Sequence, residues 1–368
     1  MYDLVVKIGG SVLRDYKDYI TQTKMLKKSY IAEAKLVLVV VSAASGVTNQ
    51  IIKAMNNGSR KVANQITEKY LSIAEKIGGR HLTRKLEEIL RPLSKIENRI
   101  TDPRHRAKLL SLGEEASREI ISYQLESIGV KTLQVPADNI ISAHGHPLNA
   151  SIDYTETLHN LKKKLDRLDG KIQAIIVEGF VGKGDYGRFV LGRGGSDYTA
   201  TTLASLGSVK LVHLITDVDG IYTGDPKIIK NAKRVEVMGY KEAEIAAQYG
   251  VKKLHPKTFE PLIKIKPVEV RIGTWNKWTT IVTKPEIQPP KIKLVASKRH
   301  MNKSRVSLIG SNLVSPGLIS LALELVKSSG IEFNEMTLSP VNYSIVFTVE
   351  QHAEALLLST LHNLVGVY

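Results

Sequence analysis

The 368-residue chain contains no cysteine. That excludes disulfides, thiolate metal sites and cysteine nucleophiles, and it agrees with a cytoplasmic setting. Aromatic residues are scarce, at 6%, and they are not interleaved with the basic residues as a base-stacking platform requires, so no nucleic-acid partner is expected. No apolar run approaches the roughly 20 residues of a membrane span; those present are short and β-like, such as LVLVVV at 36–41. No membrane association is therefore expected, and MYDLVVKIGG at the start has no basic region followed by an apolar signal core. The P-loop pattern G-x-x-x-x-G-K-[ST] occurs nowhere, and no cluster of His, Asp and Glu has the spacing of a zinc site, so no protein-held metal is expected. His144 and His146 lie close together but read as loop residues, and Ser42 and Ser45 have no histidine base in view.

The remaining composition, 43% hydrophobic and 24% charged, is that of a globular protein long enough for two or three domains. Its net charge of +16 is spread over scattered lysines, with Lys162-Lys163-Lys164 the one run. A diffuse positive field of this kind attracts acidic small molecules and nucleotide phosphates.

Apolar runs at 3–8, 35–41, 130–135, 172–180, 189–192 and 210–218 read as strands. Those without polar alternation are expected to be buried on both faces of a mostly parallel sheet. Between them, Lys53 to Leu125 follows a helical pattern that breaks at Gly78-Gly79, Pro92 and Gly113. Three prolines in TKPEIQPPK (283–291) mark a linker. Beyond it the pattern is β-α-β-β-α over 304–365, a ferredoxin-like module of the split βαβ kind, with KIKLVAS (291–297) available as a leading strand.

Several strand ends carry glycine. In KIGGSVL (7–13) a lysine closes the first strand, and two glycines precede a serine that is expected to open a helix, an arrangement suited to a phosphate. A plain βα turn with a snorkelling lysine fits the same residues. LGRGGSDYTATTLASLG (191–207) sets Arg193 and Asp197 around a glycine turn, with Ser196 and Asp197 reading as a helix N-cap. TDVDGIYTGDP (216–226) would place Thr216, Asp217 and Tyr222 at the carboxyl edge of the sheet, where open α/β sheets bind ligands. Gly182-x-Gly184-x-x-Gly187 formally matches a dinucleotide fingerprint, but RFVLG after it reads as a strand, so a β-hairpin is expected there. Several such ends together point to phosphoryl transfer outside the P-loop class.

KIGGS, VVSAASGVTN (40–49), SLGEEAS (111–117), VEGFVG (177–182), LGRGGSDYTATTLA, TDVDGIYTGDP and GVKKLHPKT (250–258) occur in the order seen in aspartate kinases of the amino acid kinase superfamily. The resemblance covers residues 1 to about 280. It implies an α/β fold, a three-layer αβα sandwich with an open, mostly parallel sheet, followed by an α+β ferredoxin-like ACT domain. The expected division is a catalytic domain at 1–284, a linker at 285–290 and one ACT-like domain at 291–368.

The resemblance also implies roles. Lys7 and Lys252 would flank the transferred phosphoryl group, with Asp197 orienting them, and Gly9, Gly10 and Ser11 would form the phosphate loop. Thr48, Glu114, Arg193 and Ser196 would hold L-aspartate, with Arg193 on its α-carboxylate and Glu114 facing its ammonium. Thr216, Asp217, Tyr222 and Lys227 would contact ATP, and Mg²⁺ would be held mainly by the phosphates. The implied reaction makes 4-phospho-L-aspartate, the first step toward lysine, threonine and methionine. A glutamate-type substrate and a non-catalytic amino-acid-sensing subunit are the alternatives. The chain departs from the family at Ile8, where phenylalanine is common, at Lys227, where arginine is common, and at Val251. It also shows a single ACT-like module where the family carries two, leaving no counterpart of the effector-binding half. That module is expected to serve a homodimer or higher homo-oligomer rather than effector sensing.

Overall fold

The computed structural model describes residues 2–251, 254–275, 278–284, 291–339 and 341–366; Lys252 and the expected linker 285–290 fall outside them. The chain divides into two compact units, 1–217 with 264–268, and 218–263 with 269–368.

In the first unit, β1 (Leu4–Ile8), β2 (Val37–Val41), β3 (Thr132–Val135), β6 (Ala174–Glu178) and β9 (Leu211–Ile215) form a parallel array in the order β9-β1-β2-β6-β3. The registers pair Lys7 with Val40 and with Leu214, and Val41 with Glu178. Every residue of β2 and β6 is buried, as unbroken apolar runs require of strands covered on both faces. Two short strands, β4 (Ser142–His144) and β5 (Ser151–Asp153), join the hairpin β7 (Val181–Gly184) and β8 (Gly187–Val190) in a second sheet. The hairpin is the one expected from the failed dinucleotide fingerprint.

Among the described residues, this unit is covered by α1 (Tyr16–Leu26), α2 (Val47–Asn57), α3 (Arg60–Leu90), α4 (Pro103–Leu110), α5 (Leu112–Ser127), α6 (Tyr154–Leu165) and α7 (Gly195–Leu206). Helix α7 packs on β1, β2 and β9 with α6 beside it, whereas α5 packs on β2, β3 and β6 with α1 and α3 behind it. The result is a three-layer αβα sandwich. The expected break at Gly78-Gly79 is a kink inside α3, where Gly79 takes φ +57°.

The second unit contains β10 (Ile221–Tyr222), β11 (Arg234–Val235), β12 (Val237–Gly239), α8 (Tyr240–Gln248), α9 (Glu260–Lys264), β13 (Glu269–Gly273) and β14 (Trp278–Thr283). It also holds β15 (Lys291–His300), β16 (Lys303–Ser311), α10 (Pro316–Ser328), β17 (Glu335–Leu338), β18 (Ser344–Glu350) and α11 (Glu354–His362). Strands β15-β16-β18-β17 form an antiparallel sheet in that order, the ferredoxin-like arrangement with KIKLVAS in the leading strand. Ile229 is buried in one apolar core with Val306, Leu308, Phe347 and Leu357 of this module. Residues 218–263 therefore share a unit with 291–368.

Candidate active site

The turn after β1 is shaped by close backbone approaches. The Gly9 amide donates to the Ile215 carbonyl at 3.0 Å. A Cβ on Gly10 would lie 2.5 Å from the Ala43 carbonyl oxygen, closer than any side chain tolerates. Ser11 does not open a helix as expected. It sits in a single 3₁₀ turn, Gly10–Val12, and α1 begins only at Tyr16, where the Asp15 carboxylate caps the amides of Lys17 and Asp18. The cap decides where the helix starts, because Asp15 satisfies two otherwise unpaired donors and Ser11 satisfies none. The Ser11 hydroxyl instead lies 3.4 Å from Thr216 Oγ1, which donates to Asp217 at 3.1 Å.

The second glycine turn differs from expectation in a similar way. The N-cap of α7 is Gly194 in the left-handed region (φ +70°), so Ser196 and Asp197 fall in the first helical turn. A cap at Ser196 would forfeit the reversal that only a residue without Cβ makes cheaply. Gly179 lets Ser196 approach, since a Cβ there would stand 2.6 Å from the Ser196 Cβ. The first-turn amides of α7 and the positive end of its dipole favour an anion nearby.

These elements enclose a cavity of about 530 Å³ lined by Lys7, Gly10, Ser11, Thr48, Glu114, Arg193, Ser196 and Asp197. Eight of the expected site residues thus meet at one place. Lys7 Nζ lies 2.7 Å from the Asp197 carboxylate, both side chains being largely buried. Thr48 sits in the first turn of α2, Arg193 is exposed, and Glu114 in the first turn of α5 is 3% exposed. Burial pushes the Glu114 carboxyl up to about 8, against the opposing effect of hydrogen bonds from its own amide and from that of Ala43. Glu114 Oε2 is buried without a hydrogen-bond partner among the described residues. A carboxylate so placed accepts a cation or an N–H donor from a ligand.

Tyr222 and Lys227 belong to the second unit. The Tyr222 hydroxyl donates to Asp219 at 2.9 Å, and Asp219 pairs with Arg234 at 2.5 Å. Lys227 is exposed, and its amide donates to Asp225 at 3.0 Å. Lys252 lies outside the described residues.

Four polar cavity residues, Ser42, Ser45, Asn49 and Arg106, carry no expectation as ligands. Ser42, just after β2, and Ser45 lie in the VVSAASGVTN stretch (40–49), where the resemblance assigns a role to Thr48 alone. Arg106 on α4 donates to Asn56 Oδ1 at 2.9 Å and to the Ile100 carbonyl at 2.8 Å, and an arginine in an amphipathic helix carries no signal of its own.

An open, mostly parallel sheet whose carboxyl edge holds a lysine, glycine turns, an arginine and a buried carboxylate defines a small-molecule phosphotransferase class without a P-loop. The profile of the Amino acid kinase family matches residues 4–273, and the chain belongs to that family. It is 26% identical over 282 residues to the bifunctional aspartokinase/homoserine dehydrogenase of Buchnera aphidicola, a match covering 71% of this chain and 34% of that one. It is 27% identical over 352 residues to the aspartokinase of Chlamydia pneumoniae, covering 90% of this chain and 74% of the other. Among solved structures, E. coli aspartokinase III in complex with aspartate and ADP superposes with a TM-score of 0.71 at 25% identity, covering 98% of this chain and 83% of that one. The chain thus spans about a third of the bifunctional relative and about three quarters of the single-function one.

Proposed function

We propose that this chain is an ATP-dependent aspartate kinase that makes 4-phospho-L-aspartate, the entry to lysine, threonine and methionine synthesis. The observation that carries the reading is the cavity in which Arg193, Glu114 and Lys7 stand together, one group for each part of an acidic amino acid meeting a phosphate. The exposed Arg193 fork takes the α-carboxylate, bidentate as arginine suits. Glu114 takes the α-ammonium, and Thr48 and Ser196 supply hydroxyls along the side chain.

The β-carboxylate is ionised at neutral pH, so no general base is needed. One of its oxygens bonds to the γ-phosphorus while the bond from that phosphorus to the β,γ-bridging oxygen breaks and ADP departs. Catalysis is then alignment plus neutralisation of charge on the transferred group. Lys7 supplies the positive charge, and Asp197 at 2.7 Å holds it in place. Gly9, Gly10 and Ser11 present backbone and hydroxyl to the phosphates, with Thr216 and Asp217 beside Ser11. Lys252, Tyr222 and Lys227 complete the proposed nucleotide contacts. Mg²⁺ enters with the nucleotide and is held mainly by its phosphates.

The domain division at 285–290, the role of the ACT-like module in homo-oligomer formation and a cytoplasmic location are part of the same proposal. No helix among the described residues is long and apolar enough to cross a membrane. The test is hydroxylamine trapping of acyl phosphate with Mg-ATP and aspartate, glutamate or no acid, on the wild type and Arg193→Ala. The expected outcome is aspartate-dependent product that the substitution abolishes. A product made equally well from glutamate would move the chain to another substrate, and no product with any acid would make it a binding subunit.

A further inference from the structure

The loop Ser42–Gly46, between β2 and α2, forms one wall of the cavity, and its backbone is held from behind. Ala44 donates its amide to the Tyr70 hydroxyl at 2.9 Å, and that hydroxyl donates to the Gly113 carbonyl at 2.7 Å. The loop is therefore tied to the start of α5 through a fully buried phenol. Gly113 allows the close approach: a Cβ there would stand 2.8 Å from the Ala43 Cβ and 3.0 Å from Val47 Cγ1. On its other side the loop meets the phosphate turn, where the Ala43 carbonyl lies against Gly10.

The loop is thus a plate held between Gly10 and Gly113. Its thickness sets the span from the phosphate turn to Glu114. We propose that Tyr70 is a positioning residue that fixes this span, and through it the length of the acid whose carboxylate can reach the phosphoryl group. The inference rests on the reading of the chain as an acidic amino-acid kinase. One methylene separates aspartate from glutamate, and a pocket rejects the longer acid only if its two ends cannot move apart. Removing the hydroxyl leaves the buried Ala44 amide and Gly113 carbonyl without their shared partner, and the loop must shift to satisfy them.

Tyr19 provides the comparison. It is as buried as Tyr70 and bonds Ser117 at 2.7 Å, the same serine that Tyr70 meets at 3.3 Å, but it makes no bond to the loop in this network. The experiment is steady-state kinetics of Tyr70→Phe and Tyr19→Phe with aspartate and with glutamate, alongside thermal melts. Both variants are expected to lose stability. Only Tyr70→Phe is expected to raise KM for aspartate about tenfold with kcat within about threefold, and to lower the aspartate:glutamate ratio of kcat/KM about tenfold. Tyr19→Phe should keep both within about twofold. Should Tyr70→Phe not fold, Gly113→Ala, which pushes on the same loop, is expected to move KM and selectivity in the same directions. An active wild type with Tyr70→Phe, or Gly113→Ala in its place, matching Tyr19→Phe in KM and selectivity overturns this inference alone. A wild type that forms no acyl phosphate from either acid overturns the functional reading and this inference with it.

Discussion

Lys7, at the end of the first strand, and Asp197, in the first turn of a helix nearly two hundred residues later, meet at 2.7 Å at the carboxyl edge of the sheet. The pair joins the two glycine-rich turns, so the charge meant for a phosphoryl group is oriented before any nucleotide arrives. Lys7→Met is expected to lower kcat by about 10²–10³ or more, the range seen when one preorganised electrostatic contact to a transition state is removed. Asp197→Asn keeps the shape but not the charge, and a fall in kcat with KM for aspartate little changed is expected. Initial rates of acyl-phosphate trapping check both, and an Asp197→Asn enzyme at full kcat would remove the pairing from the mechanism.

Glu114 makes aspartate binding pH-dependent. Burial raises its carboxyl from an ordinary value near 4.5 to about 8 in the ligand-free chain. At neutral pH it is therefore mostly protonated, and an ammonium group entering the site must displace that proton. Apparent affinity for aspartate is expected to rise about tenfold per pH unit between roughly 6 and 8 and then level off. Stability has the opposite sign. The raised carboxyl favours the folded, ligand-free chain at low pH, and this contribution is lost as the pH rises through about 8. Calorimetric titration in two buffers of different ionisation enthalpy would show the released proton. Glu114→Gln should bind weakly with a flat pH profile, and a sloping profile in that variant would assign the proton elsewhere.

Arg193 is expected to depend on its shape as well as its charge. Lysine at this position keeps the charge but cannot engage both oxygens of a carboxylate in parallel. Arg193→Lys should raise KM for aspartate by about 10–100-fold, the equivalent of one charge-assisted hydrogen bond, with KM for ATP little changed. Equal rises in both constants would place the arginine on the nucleotide instead.

The legibility of this chain divides along physical lines. The unbroken apolar runs of β2 and β6 announce strands buried on both faces, and the glycines of KIGG and GRGG announce close backbone approach, because local sequence alone determines those properties. Lys7, Glu114, Arg193 and Asp197 could be named because the motifs around them resemble a known family, although spacing says nothing of their meeting. Helix starts were less legible. Ser11 and Ser196 are good capping residues passed over for Asp15 and Gly194, since the cap is chosen by where the preceding turn delivers the chain. The role of Tyr70 was not legible at all, because a tyrosine on a helical face gives no sign of the loop its hydroxyl reaches. The grouping of 218–263 with the C-terminal module rests on tertiary contacts that no local pattern shows, among them Ile229 in that core, Lys293 on Glu242 and Thr223 on His362.

Behind the cavity, Arg118 and Glu178 make a buried pair at 2.6 Å, with the arginine side chain 6% exposed and the carboxylate not exposed at all. Arg188, which also pairs with Asp138 at 2.8 Å and with Glu115, approaches the same carboxylate at 3.8 Å. Burial raises the Glu178 carboxyl, and Arg118 is the main influence holding it down. Arg118→Met therefore leaves a buried acid with one distant cation, and a loss of about 3–5 kcal/mol is expected, as for other buried pairs stripped of one partner. For a chain of this size that corresponds to a melting temperature lower by about 4–6 °C. The double substitution Arg118→Met with Glu178→Gln should recover much of the loss, because Glu178 is then uncharged and Glu119, which also meets Arg118 at 3.6 Å, keeps Lys85 at 2.5 Å. Thermal melts of the wild type, the single and the double variant check this. A double variant no more stable than Arg118→Met would show that packing of the arginine stem, and not its charge, is what the site requires.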